Sequence, residues 1–117
     1  MMNKTTKTDL EHKVDYIAQE LRQIFDGLYE ELNEDGEEMS FYDYFIDALD
    51  IEYMIGADMN FRGCKIMVAC GGPNIWVDTT RGEVFGAWGT ERATAWIPSE
   101  ICEEIDSVFE DLYQCSR

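Results

Sequence analysis

The sequence predicts an α+β domain: two N-terminal helices, a four-stranded antiparallel sheet and a C-terminal helix, packed as two layers. Apolar residues recur every three or four positions before residue 50, alternate between 51 and 88, and return to helical spacing after 98. Strands that follow one another through short loops pair antiparallel, and helices segregated from them make a two-layer α+β domain. At 117 residues, 45% of them hydrophobic and 13% aromatic, the chain suits one core. A single domain over 8–117 is expected, behind a flexible leader over 1–7.

The first helix opens on Thr8, with Glu11 three residues on to complete a capping box. Leu10, Val14, Ile17, Ala18, Leu21, Ile24, Phe25, Leu28 and Leu32 continue one apolar stripe, and Asn33-Glu34-Asp35-Gly36 is the expected stop. Ser40 then caps a second helix with Phe41, Tyr44, Phe45, Ala48 and Leu49 inward, and Asp43 suits the positive end of its dipole. IEYMIGA, CKIMVAC, NIWVDT and EVFGAW read as strands, with GGPN a tight corner, DTTRGE a hairpin turn and ATAW a short edge piece. Pro98 or Ser99 opens the last helix, whose inward face is Ile101, Ile105, Val108, Phe109 and Leu112.

Charge is the outlier. Twenty-five acids against nine bases give a net charge of −16. Residues 9–50 hold fourteen acids and two bases, residues 98–117 six acids and one base, and residues 51–97 five acids and four bases. The acidity therefore belongs to the helical segments. Such a field repels phosphates and anionic membranes and draws in basic surfaces, so direct nucleic-acid binding is excluded and a basic partner protein is expected. Without an 18-residue apolar run or a signal-like N-terminus, a cytoplasmic protein of a bacterial host cell is expected.

Neither catalysis nor a cofactor is expected. His12 is the one histidine and reads as a surface residue, and no serine or cysteine stands in a nucleophile motif. Cys64 and Cys70 lie roughly 20 Å apart along one strand, too far to share an ion, and NEDGEE lacks the spacing of a calcium loop. CGGPN lacks the Lys and the following helix of a phosphate loop. The four cysteines read as free thiols.

What remains is LYEELNEDGEEMSFYDYFIDALD, over 28–50, with nine carboxylates, five aromatics and no Lys or Arg. Like charges one helical turn apart cost a few tenths of a kcal/mol each, and this segment accepts that cost repeatedly. Spaced about 6 Å apart on a rigid helix pair, its carboxylates would resemble successive phosphates. Glu30, Glu31, Glu34, Asp35, Glu37, Glu38, Asp43 and Asp47 are the candidate partner-binding acids, with Tyr42 and Trp76 as anchors. Alternation puts Trp76 and Asp78 opposite Ile75 and Val77, so the hairpin carries apolar groups on both faces.

The segment GGPNIWVDTTRGEVFGAWG and the following PSEICEEIDSVFEDLY, within roughly residues 64–113, resemble small acidic proteins of phages and conjugative elements of Gram-positive bacteria. That class includes anti-restriction and anti-CRISPR inhibitors, several of them DNA mimics, and carries no catalytic motif over to this chain. The resemblance implies a non-enzymatic inhibitor that blocks the DNA access of a CRISPR effector nuclease or restriction enzyme. The alternative expectation is a homodimer or adaptor that uses the Trp-bearing sheet face.

Overall fold

The computed structural model describes residues 7–116. The expected leader lies outside the described residues except for Lys7, whose ammonium pairs with Asp15. The chain is α+β, with helices at both ends of a five-stranded antiparallel sheet. Helix α1 (Asp9–Asp26) leads to a one-turn helix α2 (Phe41–Tyr44). Strands β1 (Asp50–Ile55), β2 (Phe61–Ala69), β3 (Asn74–Asp78), β4 (Glu83–Trp88) and β5 (Glu91–Trp96) follow in spatial as well as chain order, and α3 (Ser99–Ser116) closes the chain. Among the described residues, no helix is long and apolar enough to cross a membrane.

Three expected boundaries move. Helix α1 starts on the Thr8–Glu11 capping box but stops at Gly27, not at Asn33. Gly27 takes φ 72°, and its N–H closes onto the Gln23 and Ile24 carbonyls. A left-handed residue there ends the helix at little cost only because it lacks a Cβ. Leu28 and Leu32, expected in the core stripe, are consequently 69% and 60% exposed, and Phe25 on the last turn is exposed as well. Helix α2 is capped by Ser40 as expected but lasts one turn, because the chain must turn away to enter β1. The Leu49 N–H already bonds the Met67 carbonyl of β2, which leaves the Leu49 side chain exposed.

The third difference is the fifth strand. ERATAW forms a full edge strand rather than a short piece, paired with β4 along its length. Its inward residues, Ala93 and Ala95, are small because α1 lies across β4 and β5. Gly86 of β4 meets the same helix: a Cβ there would sit 2.8 Å from Leu10 Cδ1 and 2.9 Å from Val14 Cγ1. Small residues in the sheet let the helix approach closely.

All the helices cover one face of the sheet. Ile66, Ile75, Val77 and Val84 point toward them and meet Leu10, Val14 and Leu21 of α1 and Ile101, Ile105 and Phe109 of α3 in one buried cluster. Against α3 lies a buried polar cluster. The Thr79 hydroxyl donates to Asp106 Oδ1 at 2.6 Å and accepts the Cys64 N–H at 2.9 Å. The Cys64 thiol points at the same carboxylate, 3.8 Å away. Burial pushes the Cys64 and Cys102 thiols up to about 12 and about 11, so neither offers a thiolate near neutral pH. Cys70, expected on one strand with Cys64, lies past the end of β2 beyond a bulge at Met67–Ala69 and is exposed.

Two outcomes check this packing. Gly86→Val forces a branched side chain against Leu10 and Val14 and should lower stability by about 1–3 kcal/mol in urea unfolding. Burial raises the Asp106 pKa above its ordinary 3.8, with the Thr79 and Cys64 hydrogen bonds opposing. A raised folded pKa favours the fold fully below the unfolded value, and that contribution is lost as pH rises through the folded value. Asp106→Asn does not titrate, so its stability relative to wild type should improve as pH rises from below 3.8 toward neutrality. A pH-independent difference would contradict this role for burial.

Candidate protein-binding surface

Residues 28–39 are not helical, so the expected array of carboxylates on a helix pair does not form. The segment after Gly27 instead runs over the surface and folds back in a short hairpin, with Leu32 bridged to Glu38. The Asn33 side chain organises it. Its Oδ1 accepts the N–H groups of Asp35 and Glu37 at 3.0 and 2.9 Å, and its Nδ2 donates to Asp43 Oδ2 at 3.1 Å. The Asn33 and Gly36 amides close the turn through the Glu37 and Asn33 carbonyls, with Gly36 at φ 79°. Asparagine is suited to this place because one side chain both accepts from a turning backbone and donates across it.

A single carboxylate fixes the base of the segment. Glu20 of α1 accepts the Tyr29 hydroxyl on Oε2 at 2.8 Å and the Tyr44 hydroxyl on Oε1 at 2.7 Å. Burial first, and then Glu20, push both tyrosine pKa values far up, so both remain donors. From Tyr44 the rings of Phe45 and Phe109 continue edge to face, at 5.1 and 5.6 Å between centroids, and connect the acidic segment to the core.

The candidate residues divide among several places. Glu34, Asp35, Tyr42, Asp43 and Asp47 line one open groove of about 410 Å³, together with the exposed Leu32 and Ile46. Glu37 is exposed beside them at the hairpin turn. Glu38 lines a second groove of about 440 Å³ with Asp26 of α1 and Glu104 of α3. Glu30 and Glu31 lie on the α1 side, beside Tyr16 and Tyr29. Asp43 is tied into the scaffold, since its Oδ2 accepts from Asn33, from the Ser40 amide and from the Ser40 hydroxyl. Those bonds, the one from Asn33 foremost, hold its pKa below the usual carboxylate value. Trp76 is not with the acids; it lies on the far face of the sheet, away from all three helices.

Sequence reasoning passes over the α3 acids. Glu100, Glu103, Glu104, Glu110 and Asp111 are exposed, and Glu104 joins the hairpin's surface through Glu38. Their signal is legible as acids at helical spacing opposite the Ile101–Ile105–Phe109 stripe. Leu32 and Ile46 escape notice as groove residues for a different reason: Leu32 reads as core as long as α1 is extended past Gly27.

Among the described residues, nothing cancels the charge on this surface. The described ion pairs are Lys7–Asp15, Arg62–Asp58 and Arg81–Glu83. Among the described residues, no carboxylate of 26–50 or of α3 has a cationic partner. Asp26 even sits in the last turn of α1, at the negative end of its dipole, where no base accompanies it. Comparison with protein-family models, curated proteins and solved structures finds no match.

Asn33→Ala removes the hairpin's internal acceptor without changing charge. Hydrogen exchange should then speed up at the Asp35 and Glu37 amides by roughly tenfold or more, while the sheet amides stay protected. Unchanged exchange at those two amides would show that Asn33 does not hold the hairpin.

Proposed function

We propose that this chain is a non-enzymatic inhibitor that occupies the basic nucleic-acid-binding surface of a defence protein, a CRISPR effector nuclease or a restriction enzyme. One observation carries the reading. The acids of the hairpin and of α3 are exposed beside apolar side chains, and among the described residues no cation neutralises them. A helix face serving solubility alone needs neither a fixed hairpin nor Leu32, Tyr42 and Ile46 held open at 60%, 48% and 55% exposure. The class of partner is drawn from the resemblance of the 64–113 segment to small acidic mobile-element proteins, a class that includes such inhibitors, and from the sign of the charge.

The carboxylates of Glu34, Asp35, Glu37, Glu38 and Asp47, continued by Glu103, Glu104, Glu110 and Asp111 on α3, stand in for phosphates. Glu30 and Glu31 extend the field around the α1 side. Charge speeds encounter, while Tyr42, Leu32 and Ile46 enter contact and slow release. Asp43 acts by holding the hairpin against α2.

A tagged chain used to capture proteins from bacterial lysate should retain a basic nuclease at low salt and release it at high salt. Reversing Glu34, Asp35, Glu37 and Glu38 to Lys together should abolish capture and inhibition. Inhibition unchanged by that reversal would remove the hairpin from the site.

A further inference from the structure

We propose that the open face of the sheet is where the chain meets a second copy of itself. The proposal is independent of the inhibitor reading, because this surface and the acidic one lie on opposite sides of the sheet. The register puts Met67, Trp76, Phe85 and Thr94 in one row across β2 to β5. Trp76 stacks on Phe85 with centroids 5.6 Å apart and planes at 29°. Trp96, at the edge of the same face, is 71% exposed. None of the described helices covers this face. An antiparallel sheet tolerates one solvated face when that face is polar, and this one presents stacked rings.

Charge identifies the occupant. On this face Lys65, Arg81 and Arg92 lie among Asp50, Glu52, Asp78 and Glu83, with Lys65 Nζ 5.0 Å over the Trp76 ring. Elsewhere two chains of net charge −16 would meet acid against acid. A two-fold contact sets a patch against its own copy, so the patch must hold both signs and an apolar centre. A basic partner is drawn instead to the hairpin and α3. An acidic or nucleic-acid partner is repelled by the rest of the molecule.

Self-association and capture of a basic partner then respond to salt in opposite ways. Salt screens the repulsion between two acidic copies and leaves their apolar contact intact, so the dimer tightens as ionic strength rises. Binding to a basic surface weakens under the same change.

Sedimentation velocity from micromolar to millimolar chain, at low and high salt, tests this on wild type, Trp76→Ser, Lys65→Glu and Tyr42→Ala, with circular dichroism to confirm folding. Wild type should form a reversible dimer that strengthens with salt. Trp76→Ser should raise the concentration needed by at least about tenfold. Lys65→Glu, which keeps the rings but adds like charge, should weaken the dimer most at low salt and so provides a check if Trp76→Ser fails to fold. Tyr42→Ala should leave it unchanged. A monomer at every concentration overturns the proposal, as does a dimer that neither sheet variant weakens or that Tyr42→Ala dissolves.

Discussion

A chain with sixteen uncompensated negative charges has to position its carboxylates without neutralising them. It does so largely with uncharged donors. Tyr29 and Tyr44 hold Glu20, Asn33 and Ser40 hold Asp43, and Thr79 with the Cys64 thiol holds Asp106. Thr80 and the Arg81 amide hold Asp78 in the β3–β4 turn. Each such bond fixes a carboxylate in place and leaves its charge intact, whereas a Lys or Arg partner would cancel most of the local field. The fold and the negative surface are thereby compatible.

Two kinds of acid result. Glu20, Asp43, Asp78 and Asp106 are parts of the scaffold, each accepting at least two hydrogen bonds or contacts from neutral groups. The acids of the hairpin turn and of the outer α3 face project into solvent and supply the field. The first group shapes the structure; the second shapes the potential around it. The sheet separates this negative side from a face of mixed sign, so one small domain presents two surfaces with different electrostatic character.

Much of this is legible in the residues themselves. The Thr8–Glu11 box, the Ser40 cap, the alternation through NIWVD and EVFGAW and the stripe of the last helix each rest on local chemistry, and each element forms. The end of α1 is not legible in the same way, because Leu28 and Leu32 continue the helical period past Gly27; a backbone preference for a left-handed turn overrides that periodicity. The fifth strand reads only as a short edge piece, since Ala93 and Ala95 are small to admit α1 and so weaken the apolar alternation. Within the candidate site, Glu34, Asp35, Tyr42, Asp43 and Asp47 do come together, although on a hairpin and one helical turn rather than a helix pair. Trp76 belongs to another surface, a separation that depends on which face the helices cover. Glu104 joins the site from a segment more than sixty residues away, a relation only the tertiary fold creates.

The most direct measurement is displacement. A nuclease recovered with this chain is first loaded with labelled duplex DNA, and the chain is then titrated in while the anisotropy of the label is followed. If the acidic surface stands in for phosphates, DNA leaves as the chain binds, and the apparent affinity of the chain falls in proportion to the DNA present. If the chain binds while the duplex stays in place, forming a ternary complex, the acidic surface does not occupy the DNA site and its carboxylates do not stand in for phosphates.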